Sequence, residues 1–329
     1  MFVLACGGSS PTSPSDAGNS GDVATGVDAE AGTVDATNDV VAADAPVGKA
    51  CNGCPPPVAC PTCWTPPADA RWQYQLQPNA SYDATSGGVN TTITATPYAG
   101  GAAVAPDVFD VDLYESDGTT PNSAATAVLH GASRHAICYV DAGTYENFRP
   151  DAADYTTFDG ACGGCLLGKN NGWPGEKWLN LNDDQGQRTF ILQELGKRMD
   201  SCVTAHFDGV ELDNVDGYSN STGFTISAAT QELFNASIAN LAHQKGLSVA
   251  LKNDVDQVAD LEPYFDFAVN EQCFEYSECD TLQPFVSAGK AVLNVEYNLQ
   301  PSQFCPNAQS FDSIQKTLDL NDTPWTPCR

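Results

Sequence analysis

Val210-Glu211-Leu212-Asp213, then Ser227 through Lys245, then Val249-Ala250-Leu251-Lys252-Asn253-Asp254 read together as strand, helix, strand. Ser227 offers a side-chain oxygen ahead of the helix, and Leu233, Phe234, Ile238 and Leu241 repeat at helical spacing on one face. Gly246 stops the helix just before the next apolar run. The same rhythm continues outward. Phe109-Asp110-Val111-Asp112 and Ile137-Cys138-Tyr139-Val140-Asp141 precede the unit, and Phe267-Ala268-Val269-Asn270-Glu271 and Val292-Leu293-Asn294-Val295-Glu296 follow it. Trp72 to Leu76 and Ser313 to Leu318 are weaker strand candidates at the two ends. A helix from about Gln187 to Ser201 buries Ile191, Leu195, Met199 and Cys202, and Asp280 and Gly289 bracket another. Short apolar runs joined by helices make a parallel sheet, and about eight of them predict an α/β fold closed as a (β/α)8 TIM-type barrel over residues 71–329. Pro78 to Pro106 and Asp159 to Asn171 break the rhythm and read as surface loops.

Upstream of the barrel the composition changes. Residues 7–50 contain no Phe, Trp, Tyr, Leu or Ile and are rich in Asp, Ala, Gly, Ser and Thr. Such a stretch buries too little apolar area to offset chain entropy, so it reads as a disordered acidic linker. Residues 51–70 form a Cys/Pro-rich segment. Val3-Leu4-Ala5-Cys6-Gly7 has the pattern of a lipobox, which makes residues 1–6 the remnant of a lipoprotein signal with Cys6 as the lipidated residue. Met1 to Ala5 is too short for the charged and apolar regions of an export signal, so this reading places the true translation start further upstream. No run of about 18 apolar residues occurs, so contact with a membrane is expected only through the lipid.

The chain has thirteen cysteines, and setting Cys6 aside leaves an even number, which suits disulfides in an extracellular or cell-surface protein. Cys138 and Cys202 are candidates to pair across the barrel wall, Cys273 and Cys279 to close a loop beside Glu271, and Cys305 and Cys328 to pin the C-terminus. The pairs Cys51/Cys54 and Cys60/Cys63 have the local spacing of zinc ligands, but the prolines between them and the exported context favour disulfides. Spacing does not give the connectivity of these four, nor of Cys162 and Cys165.

The net charge of −28 repels phosphate backbones and anionic headgroups, which disfavours nucleic acid, and attracts cationic ligands. No Gly-x-Ser-x-Gly, phosphate loop or dinucleotide fingerprint is present, so serine hydrolases, kinases and dehydrogenases recede. His130, His135, His206 and His243 lack metal-ligand spacing, and no metal or organic cofactor is expected. The run Asp213 to Gly217 misses the alternate-ligand register of a calcium loop.

Chemistry is expected where strands end. In a parallel barrel the C-terminal strand ends share one mouth, so Asp112, Asp141, Asp213, Glu271 and Glu296 converge there. Like charges so gathered raise one another's pKa, and a pair of carboxyl groups is what hydrolysis of a glycosidic bond requires. Period two places Glu211 with Asp213 on one face, and Glu271 with Val269 and Phe267 on another. The latter arrangement predicts an apolar surround that keeps Glu271 protonated. Asp208, before Gly209, reads as a strand-start residue. Tyr218 and Tyr297 follow strand-end segments and are placed at the cleft.

Several segments carry a family resemblance. They are Cys138-Tyr139-Val140-Asp141-Ala142-Gly143-Thr144-Tyr145-Glu146, Gly172-Trp173-Pro174-Gly175-Glu176-Lys177-Trp178-Leu179, Phe207 through Tyr218, Leu251-Lys252-Asn253-Asp254, Asn270-Glu271-Gln272-Cys273 and Val295-Glu296-Tyr297-Asn298. In that order they resemble glycoside hydrolase family 114, the endo-α-1,4-polygalactosaminidases. The resemblance implies a (β/α) barrel that cleaves internal α-1,4 bonds of galactosamine-containing polysaccharide, with an Asp after the fourth strand and a Glu after the sixth as the catalytic pair. These fall on Asp213 and Glu271. Asp112, Tyr139, Asp141, Glu211, Asp216, Tyr218, Lys252, Asn253, Asn270, Glu296 and Tyr297 are the expected substrate-binding residues. The implied partner, a partly deacetylated galactosamine polymer, is cationic and suits the acidic domain, which is expected to act as a monomer. Two other readings remain open: a non-catalytic polysaccharide-binding surface lipoprotein, and an α-glycosidase for a neutral sugar.

Overall fold

The structure is a computed structural model that describes residues 51–329; the expected lipidation site Cys6 and the 7–50 linker lie outside the described residues. Eleven strands are present among the described residues: β1 (Trp72–Gln75), β2 (Val108–Asp112), β3 (His135–Asp141), β4 (Thr144–Glu146), β5 (Glu176–Trp178), β6 (Gly209–Asp213), β7 (Ser248–Lys252), β8 (Phe267–Glu271), β9 (Val292–Glu296), β10 (Asp312–Gln315) and β11 (Thr326–Pro327). β1, β2, β3, β6, β7, β8, β9 and β10 pair in that order, all parallel, and β11 adds antiparallel to β10. β4 and β5 form a separate two-stranded antiparallel sheet, with the helix Ala152–Ala161 between them in sequence.

The sheet curls into a TIM-type barrel. The Tyr74 hydroxyl of β1 donates to Glu211 of β6 at 2.9 Å, and strands so far apart in the sheet meet only through an interior. β1 and β10 face each other without a shared ladder. Side chains bridge this seam: the Trp72 indole donates to Asp312 O at 2.6 Å, Lys316 Nζ to Gln73 Oε1 at 2.7 Å and the Trp325 indole to Trp72 O at 2.8 Å.

The strand sequences explain the layering. Val210, Leu212, Val249, Leu251, Val292 and Leu293 are buried against helices or barrel interior, each burial contributing about 1.5–3 kcal/mol. The helix Ala228–Gln244 starts where Ser227 Oγ accepts from Thr230 N at 3.1 Å, and it buries Phe234, Ile238, Ala239 and Ala242. Residues 51–70 strap across the barrel end opposite the strand C-termini. Tyr264 donates to Pro55 O at 2.7 Å, Asn240 Oδ1 accepts from Val58 N at 2.7 Å, and Trp64 stacks on His135 with ring centroids 4.2 Å apart.

Some elements differ from expectation. The helix beginning at Gln187 runs on to Thr204. Between Asp280 and Gly289 a 3-10 turn, Cys279–Leu282, precedes the short helix Gln283–Ser287, because Pro284 fits only in a first helical turn. Pro78 to Pro106 is tied down rather than free, with Val89, Asn90 and Ile93 buried and Asn90 Nδ2 donating to Asp322 Oδ2 at 2.8 Å. Asp159 belongs to the helix Ala152–Ala161 and not to a loop. The twelve described cysteines form six disulfides: Cys51–Cys54, Cys60–Cys63, Cys138–Cys202, Cys162–Cys165, Cys273–Cys279 and Cys305–Cys328.

Candidate active site

Three consecutive parallel strands finish on three charged residues: β6 on Asp213, β7 on Lys252 and β8 on Glu271. Lys252 Nζ lies 2.9 Å from Asp213 Oδ1, 3.0 Å from Glu271 Oε2 and 3.6 Å from Glu211 Oε1. Its side chain is 2% exposed, whereas Asp213 and Glu271 keep 18% and 24% and reach the mouth. Tyr139 donates to the other Asp213 oxygen at 2.8 Å and Tyr297 to the other Glu271 oxygen. Each carboxylate is thus gripped between one phenol and one shared ammonium.

The turns after these strands hold the pair in place. Asn214, Asn253 and Gln272 adopt left-handed φ of 59°, 50° and 65°, turning the chain sharply at each strand end. Asn tolerates this region better than most residues. The Asn214 amide donates to Asp213 Oδ1 at 2.8 Å, and Asn253 Oδ1 accepts from the Glu271 amide at 2.9 Å. Gly143 packs directly on this turn. A Cβ there would stand 1.7 Å from Asn214 O, so no larger residue fits without moving it.

Electrostatics separates the groups. Burial alone would raise the Asp213 carboxyl, but Lys252, Tyr139 and the Asn214 amide hold it below the ordinary carboxylate range. Burial likewise opposes the Lys252 charge, yet Asp213, Glu271 and Glu211 keep its pKa well above that of a free lysine. Burial raises the Tyr139 and Tyr297 phenols well above their usual value, so both remain donors.

An acidic wall rises beside Asp213. Asp141 accepts from the Thr144 amide at 2.9 Å and from Asn214 Nδ2 at 3.0 Å, and burial with Glu146 and Asp213 nearby pushes its carboxyl well up. Glu176 on β5 is also raised by burial. Asp141, Glu146 and Glu176 bring three carboxylate oxygens within 4.8 Å of one another, a spacing that suits a metal ion. Glu146, however, is already charge-paired with Arg149 at 2.8 Å and Arg198 at 2.9 Å, one guanidinium on each of its oxygens. On the other side burial and Asp216 push Asp254 up to about 8, while Asn235 Nδ2 ties it at 2.8 Å.

The structure brings Asp213, Glu271, Lys252, Asn253, Tyr139 and Tyr297 together, with Asp141 beside them through Asn214. Asp216 and Tyr218 are half-buried on the flank formed by the loop after β6. Asp112 is committed elsewhere: Arg149 grips both its oxygens, at 2.7 and 3.0 Å. Glu211, Asn270 and Glu296, expected to touch substrate, are 0% exposed and support the floor from behind. The apolar surround expected for Glu271 is corrected as well, since its carboxylate meets Lys252, Tyr297 and the Asn253 amide. Asp208 sits at the opposite end of β6, accepting from the Ala136 amide at 2.8 Å. Sequence reasoning missed Tyr74, Asp110, Asn214, Arg149 and Arg198 as parts of the site. Arg198 left one signal, a charged residue next to Met199 on the apolar stripe of its helix.

Comparison with known proteins gives consistent results. Residues 55–328 match the model of glycoside-hydrolase family GH114. A crystal structure of Aspergillus fumigatus Ega3 in complex with galactosamine is similar, at 31% identity over 79% of this chain and 95% of that one, with a TM-score of 0.64. The glycoside hydrolase domain of PelA from Pseudomonas aeruginosa shares the fold, at 14% identity over 79% of this chain and 98% of that one, with a TM-score of 0.51. No curated protein matches the chain.

Proposed function

The chain belongs to glycoside hydrolase family GH114, and from that premise we propose that it cuts internal α-1,4 bonds of a galactosamine-rich polysaccharide, with Asp213 as nucleophile and Glu271 as acid/base. It is a glycoside hydrolase. The observation that carries the residue assignment is the shared ammonium between two strand-end carboxylates at the mouth. Both carboxylates touch Lys252, so their nearest oxygens are at most about 6 Å apart, a spacing that favours a retaining over an inverting mechanism.

The steps follow from the groups present. Asp213, kept ionised by Lys252 and Tyr139, attacks the anomeric carbon. Glu271 gives its proton to the departing glycosidic oxygen, which leaves with the bonding electron pair. Glu271, now a carboxylate, removes a proton from water as that water attacks the same carbon and releases Asp213. Negative charge therefore moves from Asp213 to Glu271 and back. Lys252 contacts both carboxylates and serves as counter-ion at each stage.

The substrate class rests on the bound galactosamine of the Ega3 structure and on charge. A deacetylated galactosamine polymer is a polycation, and a chain of net charge −28 draws it in from solution. A lipid on Cys6 would hold the enzyme at the cell surface, where its disulfides persist.

The test uses Asp213→Asn and Glu271→Gln, which preserve size while removing charge or proton. Reducing-end release from acetylated and deacetylated α-1,4-galactosamine polymers should be abolished in both variants, and wild-type cleavage of the deacetylated polymer should weaken as salt rises. An active Glu271→Gln refutes the residue assignment. Equal, salt-independent cleavage of both polymers refutes the cationic substrate.

A further inference from the structure

Beneath the floor of the cleft lies an acid pair that the hydrolytic steps do not use. Asp110 on β2 and Glu211 on β6 are both 0% exposed and come from strands separated by β3. Glu211 Oε1 is well served, accepting from the Tyr74 hydroxyl at 2.9 Å with Lys252 Nζ at 3.6 Å. The other Glu211 oxygen and both Asp110 oxygens are buried without any donor. The two carboxyl groups face each other. Two acceptors in contact inside a protein are tolerated only when a proton sits between them, one group then being donor and the other acceptor.

We propose that Asp110 and Glu211 share one proton and act as a positioning pair: Asp110 donates to Glu211, and Glu211 partly neutralises Lys252 from below, which sets how strongly the ammonium acts on Asp213 and Glu271 above. The inference rests on the hydrolytic reading of those two residues. Proton placement on Asp110 agrees with the environment, since burial and Glu211 push Asp110 well up, whereas Lys252 and Tyr74 limit the burial-driven rise of Glu211 to about 7. The groups that face Lys252 and Glu211 are Tyr74 from β1, Asp110 from β2, Asp213 from β6, Glu271 from β8 and Tyr297 after β9, with Tyr139 from β3 joined to them through Asp213. All three phenols are raised by burial, so the carboxyl groups alone exchange protons in the working range. Removing the Glu211 charge leaves the ammonium uncompensated from below, which favours loss of the proton that catalysis needs.

The experiment measures the pH dependence of kcat and KM for the full chain on a deacetylated α-1,4-galactosamine polymer. Glu211→Gln should move the basic limb down by about one pH unit and lower kcat above neutrality about tenfold, with KM little changed. A purely structural role lowers the folded fraction without moving the limb. Asp110→Asn offers Glu211 an N–H donor and should bring the limb back toward its wild-type position, whereas Asp110→Val leaves Glu211 without a donor and should shift the limb as Glu211→Gln does. A folded Glu211→Gln with an unmoved limb overturns the proposal. So does an Asp110→Asn limb displaced as far as that of Asp110→Val, which is the deciding comparison if Glu211→Gln does not fold. An active Asp213→Asn would instead overturn the hydrolytic reading itself.

Discussion

Replacing Lys252 by Met removes one ammonium and leaves a chain of similar length in the same space. The magnitude follows from the contacts. An ion pair at 2.9 or 3.0 Å is worth about 5–6 kcal/mol at an effective dielectric constant of about 20. Desolvation of a group only 2% exposed offsets part of this, and breaking a buried pair by deleting one partner costs about 3–5 kcal/mol. Stability should fall by that amount, as read from urea unfolding at pH 7. The electrostatic loss also falls on Asp213, whose ionisation at low pH depends on Lys252. Without the ammonium, burial and the neighbouring acids raise its carboxyl, so the acidic limb of the activity profile should climb by about two pH units. The assay is reducing-end release from deacetylated galactosamine polymer between pH 4 and 8, with the folded fraction checked by circular dichroism. A Lys252→Met enzyme whose acidic limb coincides with that of the wild type would refute the role of the shared ammonium.

Two further outcomes follow from the structure. Gly143→Ala drives a methyl group into Asn214 O, so it should cost about 1–3 kcal/mol and lower kcat by displacing the turn that carries Asp213; unchanged thermal unfolding and turnover would contradict the close approach. Lys316, 1% exposed at the seam, has its pKa lowered to about 7 by burial. Between pH 7 and about 10.5 the unfolded chain binds a proton there that the folded one does not, so stability should rise with pH at up to about 1.4 kcal/mol per unit and level off below pH 7. Lys316→Met should abolish that rise, and denaturant unfolding at pH 7.5 and 9.5 showing the same difference in variant and wild type would reject it.

Six of the eight parallel strands were legible because each is a short apolar run ending in a polar residue, flanked by turn signals or amphipathic helices; β1, Trp72-Gln73-Tyr74-Gln75, and β10, Asp312-Ser313-Ile314-Gln315, gave weaker signals because polar residues interrupt or begin them. The small sheet of β4 and β5 was not legible, since three-residue strands are too short to show a period. The helix Ala152–Ala161 buries only Tyr155, so it carries no apolar stripe to read. Strand-end carboxylates pointed to the mouth, and the family resemblance selected Asp213 and Glu271 among them. The ion pairs were beyond reach, because Lys252 meets partners 39 and 19 residues away in sequence through barrel curvature alone. Strands buried on both faces explain the rest. Glu211 and Asp213 share a face by period two, yet one lies sealed below the floor and the other at the mouth, a difference in depth that alternation does not encode.

The seam between β1 and β10 bears on the order in which the molecule can assemble. Every other junction between parallel neighbours joins consecutive barrel strands, but the Trp72 to Asp312 bond spans 240 residues. While the chain is being made, β1 therefore has no second neighbour until the last strand has emerged. Cys328, whose amide bonds Ser313 O at 3.0 Å, is disulfide-linked to Cys305, so the final lock forms last as well. A chain interrupted after β9 would retain most of its apolar area but present two uncovered sheet edges, the geometry that recruits other chains into aggregates. Completion of the last few strands thus separates a curled sheet prone to self-association from a closed enzyme.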